Sequence, residues 1–258
     1  MTWIEGARGV LFDVDGTLLS KDEPIPGAAE TIDRLRARGV RVRIGTNTTR
    51  RPRSAVADVL RRAGFRVGND EVLAPAVLAR RRILASGRTR AALLVPPASR
   101  EDFDGVAEDE HRPDWVVVGD LGRGFTFETL NRAYHWIRGG ARLIALHRNR
   151  VWDNGVDGIV LDAGPYVAAL EYAAGVEADL VGKPSRLFFD LAVEEIGLPP
   201  AEVIVVGDDV EADCRGGAAA GCRTALVLTG GTTRDGLERS GFTPDRVCAS
   251  VAELFPGG

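Results

Sequence analysis

Short apolar runs alternate with amphipathic segments along this chain, and the first third shows the order strand, helix, strand, helix. The amphipathic segments begin near proline and end at glycine, which is typical of helix boundaries. The pattern predicts strands ending near Phe12 and spanning 40–44, and helices over 26–38 and 52–63. This order of elements predicts a parallel sheet covered by helices.

The end of the chain repeats the pattern. It predicts helices over 184–196 and 211–220, strands over 202–206 and 224–228, and a short edge strand over 247–249. We therefore expect both ends to form one doubly wound, Rossmann-like α/β core, made of residues 1–78 and 181–258.

A second alternation lies between these two ends. It predicts strands over 91–95, 115–118 and 141–146, and helices over 127–138 and 165–174. About one hundred residues are enough for a separate domain, so residues 79–180 are predicted to form an inserted α/β domain.

The composition limits the classes of function. The chain has 258 residues, 45% hydrophobic and 27% charged, which is an ordinary composition for a soluble globular protein. Its net charge of -4 gives no support for binding nucleic acid. No apolar run approaches the roughly 18 residues of a membrane span. Residues 1–5 carry no charged-then-apolar leader, so we expect a cytoplasmic protein without a membrane partner.

The candidate chemistry begins where the first strand ends. Asp13 and Asp15 are two positions apart, so their side chains point to the same side of an extended chain. Two neighbouring carboxylates repel each other unless a cation or a shared proton lies between them. A turn formed by Asp and Gly would also explain the sequence Asp-Val-Asp-Gly-Thr, so the motif alone does not decide.

Other polar residues follow or precede predicted core elements in the same way. They are Thr46 and Asn47 after the second strand, Lys183 before a helix, and Asp208, Asp209 and Asp213 after a strand of valines and isoleucine. In a doubly wound sheet, ligands bind at the carboxyl ends of the strands. The chain has 33 basic residues, of which only Lys21 and Lys183 are lysines, so Lys183 calls for a specific reason.

The balance of charge at this edge favours a divalent cation. Five aspartates at positions 13, 15, 208, 209 and 213 would meet one lysine. Carboxylate oxygens without a cluster of His or Cys favour Mg²⁺ over zinc. Mg²⁺ with hydroxyl, amide and ammonium donors opposite it is suited to a phosphate group.

These motifs resemble, in order, the four motifs of the haloacid dehalogenase (HAD) superfamily phosphatases. The segments Val181–Ser185 and Gly207–Asp213 are similar to the p-nitrophenyl phosphatase-like branch, subfamily IIA, and the inserted domain resembles its C2-type cap. The resemblance implies a Mg²⁺-dependent phosphohydrolase that acts on small phosphorylated molecules.

The resemblance also implies a role for each matching residue. Asp13 would be the nucleophile that forms an aspartyl phosphate, and Asp15 the general acid and base. The implied metal ligands are the carboxylates of Asp13 and Asp208 and the backbone carbonyl of Asp15. Asp209 and Asp213 would support the ligands from outside. Thr46, Asn47 and Lys183 would bind the phosphoryl group.

The substrate would be selected in the inserted domain. His147 begins a polar loop over 147–152, and Gly164 precedes a predicted helix and allows a close backbone approach, so both are candidate substrate-binding residues. Asp162 beside them would repel an anionic substrate tail. Related enzymes with this cap often pair two chains, so a homodimer is an open expectation.

Two other classes of function remain open. A phosphomutase would use the same residues and would differ in how well the closed cap excludes water. A phosphoacceptor signalling domain or a binding protein would also combine Asp, Thr and Lys on a doubly wound sheet. Signalling receivers place the acceptor on a middle strand of a much shorter chain, whereas here the acidic pair comes first.

Overall fold

The structure, a computed structural model, describes residues 7–254. The predicted absence of an N-terminal leader concerns residues outside that range. Chain contacts divide the protein into two compact units. Among the described residues, unit 1 contains 7–46, 53–73 and 183–254, and unit 2 contains 47–52 and 74–182. The chain therefore passes between the units at four places.

Unit 1 is built on a six-stranded sheet in which every neighbouring pair is parallel. Its strands, in spatial order, are Arg246–Cys248, Arg223–Val227, Val203–Gly207, Gly9–Asp13, Arg41–Gly45 and Val72–Leu73. The central strands Gly9–Asp13 and Val203–Gly207 are buried along their whole length. Continuous apolar runs are what a sheet covered on both faces requires.

Helices cover this sheet. They are Ala28–Ala37, Arg53–Arg62, Arg186–Ile196 and Arg234–Ser240, with shorter helical turns at Asn69–Glu71, Pro200–Glu202, Gly216–Ala219 and Val251–Leu254. A small hairpin of Leu19–Ser20 and Glu23–Pro24 follows the first strand. The buried face of the first helix includes Ile32 and Leu35, as the sequence pattern predicts.

One predicted helix differs from the structure. Residues 211–220 do not form a single α-helix, because Val210–Arg215 is a wider π-helical turn and the α-helical turn Gly216–Ala219 follows it. The Cys214 N–H bonds to the Asp209 carbonyl, five residues earlier. Such turns often occur at functional sites because they change the direction of a side chain.

Unit 2 has its own parallel sheet of five strands. In spatial order they are Asp179–Leu180, Arg142–Ala145, Trp115–Val118, Arg90–Leu94 and Ala107–Glu108. The helices are Pro75–Ala85, Phe127–Arg138 and Ala163–Ala174, with shorter turns at Pro97–Phe103 and Gly122–Gly124. The polar loop beginning at His147 leads into an antiparallel hairpin, Val151–Asp153 with Ile159–Leu161, which the pattern did not predict.

The predicted α/β class with parallel sheets is confirmed. In the part of the chain from residue 7 to residue 254, every helix is too short or too polar to cross a lipid bilayer.

Candidate active site

Asp13 is the last residue of the first strand of unit 1, and it is buried. Its strand lies between Val203–Gly207 and Arg41–Gly45, with Phe12 opposite Val206 on one side and Ile44 on the other. The apolar strand therefore holds the Asp13 carboxylate at the carboxyl edge of the sheet. The Asp13 Oδ1 atom accepts a hydrogen bond from Lys183 Nζ.

Lys183 connects two of the predicted site residues. Its Nζ atom donates to Asp13 Oδ1 and also to Asp213 Oδ1, the latter at 2.6 Å. The lysine is buried, with 4% of its surface exposed. The following peptide bond, to Pro184, is cis. A buried ammonium requires paired charges, and these two carboxylates provide them.

The π-helical turn places Asp213 in this cluster. Asp213 Oδ2 accepts the Asp209 N–H at 3.2 Å, so both carboxylate oxygens of Asp213 have donors within unit 1. A Cβ atom on Gly207 would lie 2.2 Å from Asp213 Cγ. Glycine is therefore required at position 207, at the end of the strand.

Asp208 is held in a loop pocket made of glycine. Its Oδ2 atom accepts the Gly231 N–H, and its carbonyl accepts the Thr232 N–H at 3.1 Å. A Cβ on Gly230 would lie 2.0 Å from Asp208 Oδ2, and one on Gly16 would lie 2.4 Å from it. Gly16 also has a φ of +83°, which strongly favours glycine.

Burial raises the pKa of all three carboxyl groups. The pKa of Asp13 is raised to about 7, since burial and the Asp208 charge outweigh the Lys183 ammonium. Burial raises the pKa of Asp213 to about 7 and that of Asp208 to about 6. For Lys183, burial opposes the charged form, but Asp13 and Asp213 outweigh it and raise the pKa above its ordinary value. One ammonium is shared among three acids, so the cluster has an excess of negative charge.

This donor set fits a hard cation. Ligand oxygens of Asp13, Asp208 and Asp213 lie within 4.8 Å of one another. Within residues 7–254, Asp13 Oδ2 and Asp208 Oδ1 receive no hydrogen bond, whereas both Asp213 oxygens do. Oxygen donors close together and short of positive charge are the chemistry that Mg²⁺ selects.

Two further predicted residues lie in unit 1. Asp15 is exposed, follows the first strand by two positions, and is close enough for its charge to raise the pKa of Asp13. Thr46 follows the neighbouring strand, is buried, and donates its backbone N–H to the Leu73 carbonyl at 3.0 Å. Asp209 is exposed, and its side chain accepts the N–H groups of Glu211 and Ala212. Asp209 therefore caps the π-helical turn that carries Asp213.

The structure places the remaining candidates in unit 2. Asn47 is the first residue of that unit after the chain leaves Thr46. His147 is 2% exposed and contacts Thr49, and burial lowers its pKa to about 4. Gly164 lies against its own chain, since a Cβ there would be 2.5 Å from the Asn149 carbonyl oxygen. Internal packing thus explains both His147 and Gly164, and their contact with a substrate stays a prediction.

Sequence reasoning missed the segment Thr229–Thr232. Besides the contacts to Asp208, the Thr229 hydroxyl donates to the Gly16 carbonyl, and the Thr232 hydroxyl accepts the Val210 N–H at 3.0 Å. The available signal was the sequence Thr-Gly-Gly-Thr, which begins two residues after the end of the strand Arg223–Val227. Two adjacent glycines at the carboxyl end of a core strand indicate a close backbone approach.

The chain belongs to the haloacid dehalogenase-like hydrolase family. The family model of that description matches residues 10–107, and a second HAD hydrolase model matches residues 180–254. The predicted resemblance to HAD phosphatases of subfamily IIA is confirmed, and with it the prediction of a HAD-like phosphatase that acts on phosphate esters. Enzymes of this kind use a divalent metal.

Particular relatives are similar over most of their length. Phospholysine phosphohistidine inorganic pyrophosphate phosphatase of Bos taurus is 38% identical over 88% of this chain and 85% of that protein. The crystal structure of 4-nitrophenylphosphatase from Thermotoga maritima has a TM-score of 0.91 and 32% identity, and covers 97% of each chain. Glycerol phosphate phosphatase from Mycobacterium tuberculosis, solved in complex with magnesium, has a TM-score of 0.86 and 26% identity, over 99% of this chain and 78% of that one.

Proposed function

We propose that this protein is a Mg²⁺-dependent phosphohydrolase that acts on small phosphorylated molecules through an aspartyl phosphate on Asp13. The observation that carries the proposal is the buried cluster of Asp13, Asp208 and Asp213 around Lys183. Such a cluster is costly to bury, so a fold that keeps it has a use for its charge.

In this proposal Asp13 and Asp208 provide carboxylate ligands for Mg²⁺, and Asp15 provides its backbone carbonyl. The uncommitted oxygens of Asp13 and Asp208 support this assignment, while Asp213, bonded through both oxygens, holds Lys183 in place. Mg²⁺ bound there would neutralise charge on the phosphoryl oxygens. Thr46, Asn47 and Lys183 bind the same oxygens, and Asp209 supports Asp213 by capping its turn.

The reaction has two displacements at phosphorus. In the first, an Asp13 oxygen bonds to phosphorus, the bond to the leaving oxygen breaks, and the Asp15 carboxyl gives that oxygen its proton. In the second, water attacks the aspartyl phosphate, the Asp15 carboxylate takes a proton from the water, and the Asp13 oxygen leaves. Inorganic phosphate is released and both aspartates return to their starting state.

The wider assignment follows from the same proposal. Residues 79–180 act as the C2-type cap that decides which leaving groups are accepted. The proposal places the chain in the cytoplasm, without nucleic acid or membrane partners, and pairing into a homodimer stays an open expectation. Phosphorylated amines and inorganic pyrophosphate belong in a substrate screen because the name of the Bos taurus relative includes them.

The test is turnover of p-nitrophenyl phosphate with Mg²⁺ and with EDTA. We expect activity only with the metal, and Asp13→Asn is expected to abolish it, while Asp190→Asn, an exposed acid of the same unit, is a matched control. Acid quenching of Asp15→Asn during turnover should trap a phosphorylated peptide that contains Asp13. Full activity of Asp13→Asn would refute the proposal, and transfer of phosphate to an added sugar phosphate in place of water would identify a phosphomutase.

A further inference from the structure

The segment 47–52 is anchored in unit 2 by a buried residue, Thr49. The Thr49 Oγ1 atom accepts the Asp120 N–H at 2.8 Å and lies 3.1 Å from His147 Nε2. The Thr49 carbonyl accepts the Ser99 hydroxyl at 2.7 Å. A Cβ on Gly119 would lie 3.1 Å from Thr49 Oγ1, so the neighbouring chain packs closely around this hydroxyl.

The direction of the His147 hydrogen bond follows from its two ring nitrogens. Nδ1 accepts the Asn149 N–H at 3.3 Å, so it carries no proton. Burial lowers the pKa of His147 to about 4, so the ring is neutral near pH 7 and its proton is on Nε2. Nε2 therefore donates to Thr49 Oγ1, with the Asp162 carboxylate 3.6 Å away. The hydroxyl of Thr49 accepts two buried hydrogen bonds.

The next residue strengthens the same attachment. The Arg50 guanidinium lies 4.0 Å from the centre of the Trp152 ring, and its Nε atom is 3.5 Å from Asp120 Oδ2. Asp120 thus contacts the segment twice, through its backbone N–H and through its carboxylate. Residues 49 and 50 are thus held by contacts with Ser99, Asp120, His147 and Trp152 of unit 2.

This anchor lies next to the predicted phosphate-binding pair. Thr46 belongs to unit 1, where its N–H is bonded to the Leu73 carbonyl, and Asn47 is the first residue of unit 2. The position of Asn47 therefore depends on how Thr49, two residues further along the chain, is held. A polar group needs to be placed to within about 0.5 Å to stabilise a transition state.

We propose that Thr49 and His147 are positioning residues that hold the phosphate-binding segment 46–47 through the anchored segment 48–50. The inference rests on the proposed function, and it assigns His147 to the orientation of the protein chain instead of contact with the leaving group. Loss of the Thr49–His147 hydrogen bond should weaken the binding of every phosphoryl group by the same factor, because the bond positions the phosphate-binding residues and not the residues that contact the leaving group.

The experiment compares Thr49→Val with Thr49→Ser and His147→Leu with His147→Gln. Val and Leu remove the hydrogen bond, while Ser keeps the hydroxyl and Gln keeps a donor near the position of Nε2. Thr126→Val is the matched control, since its exposed hydroxyl accepts the Thr129 N–H and donates to the Thr129 hydroxyl, which are local contacts at a helix start in unit 2. The readouts are kcat/KM for p-nitrophenyl phosphate and for acetyl phosphate, inhibition by inorganic phosphate, and hydrogen exchange of a peptide covering residues 46–52.

For Thr49→Val and His147→Leu we expect a loss of at least tenfold in kcat/KM that is equal for the two substrates, with inhibition by phosphate weakened in parallel. The kcat/KM values of Thr49→Ser, His147→Gln and the control Thr126→Val should stay within threefold of the wild-type values. Faster exchange over residues 46–52 is expected whether or not the enzyme is active, so it separates this inference from the proposed function. A loss that differs between the substrates, or unchanged exchange, would overturn it. If Thr49→Val does not fold, His147→Leu decides the outcome.

Discussion

The ammonium of Lys183 and the carboxylate of Asp213 form a buried ion pair with an N–O distance of 2.6 Å. The two residues are 30 positions apart in the sequence, and Asp213 lies in the π-helical turn Val210–Arg215. The same ammonium also pairs with Asp13, so the single positive charge of Lys183 is shared by two buried carboxylates.

Replacement of Lys183 by Met should affect both catalysis and stability. Without the ammonium, Asp13 and Asp213 repel each other, so we expect kcat to fall at least about 100-fold. The free energy of unfolding at pH 8 should fall by about 3 kcal/mol. The loss should be smaller at pH 6, because burial raises the pKa of both carboxyl groups and protonation relieves the repulsion.

Urea unfolding at the two pH values measures this effect. Lys21→Met is the natural control, since Lys21 is the other lysine of the chain and is exposed. Equal destabilisation at pH 6 and pH 8 would contradict the proposed repulsion.

The glycine pocket around Asp208 predicts a difference between two neighbouring positions. Alanine at Gly230 would place a Cβ 2.0 Å from Asp208 Oδ2, whereas alanine at Gly231 would place it at 3.4 Å and keep the N–H donor. Gly230→Ala should therefore displace the carboxylate and raise the Mg²⁺ concentration for half-maximal activity at least tenfold. Gly231→Ala should change it less than threefold. Equal curves for the two variants in a Mg²⁺ titration would show that Asp208 does not depend on this pocket.

The excess of negative charge in the aspartate cluster predicts two opposite effects of Asp208→Asn. The variant should be more stable without metal, and Mg²⁺ should stabilise it less. In EDTA the variant should unfold at a higher temperature than the wild type, because one of three clustered charges is gone and the amide oxygen still accepts the Gly231 N–H. Mg²⁺ at a hundred times its Kd should stabilise the wild type by about 2.7 kcal/mol and the variant much less. Thermal unfolding with EDTA and with Mg²⁺ tests both statements, with Asp190→Asn as the control. An undiminished shift by Mg²⁺ would remove Asp208 from the ligand set.

Acid should destabilise the protein through His147. Its pKa is about 4 in the folded state because of burial, below the ordinary value of 6.5, so the unfolded chain binds a proton more readily. The neutral imidazole makes its full contribution to the free energy of unfolding above pH 6.5. This contribution is lost as the pH falls toward 4, by at most about 3 kcal/mol. Asp120 and Asp162 face the ring, and burial raises their pKa values, so they titrate in both proteins compared.

The difference between wild type and His147→Gln isolates the contribution of the ring. Unfolding free energies measured between pH 4 and pH 7 should show a flatter dependence for the variant. Parallel curves for the two proteins would mean that His147 is protonated in the folded state as easily as in the unfolded chain.

The sequence by itself determined the architecture and most of the candidate site. Apolar runs such as the one ending at Asp13 and the one ending at Gly207 can be buried only in a covered parallel sheet, so strand order along the chain implied the α/β class. The carboxyl ends of such strands meet at one edge, which is why Asp13, Thr46 and Asp208 could be predicted as neighbours. A short stretch of sequence is enough for these predictions, because the spacing of apolar side chains and the direction in which a strand runs can both be read from neighbouring residues.

Only the tertiary structure decided which contacts each site residue makes. Three features of the site could not be read from the sequence. They are the π-helical turn at Asp213, the requirement for Gly230 beside Asp208, and the burial of His147 against Thr49. A local sequence pattern does not encode such contacts. They depend on how helices, strands and loops pack together, and on which buried polar groups then need a hydrogen-bond partner. The same packing buries His147 in the interior of unit 2, although the sequence places it at the start of a polar loop.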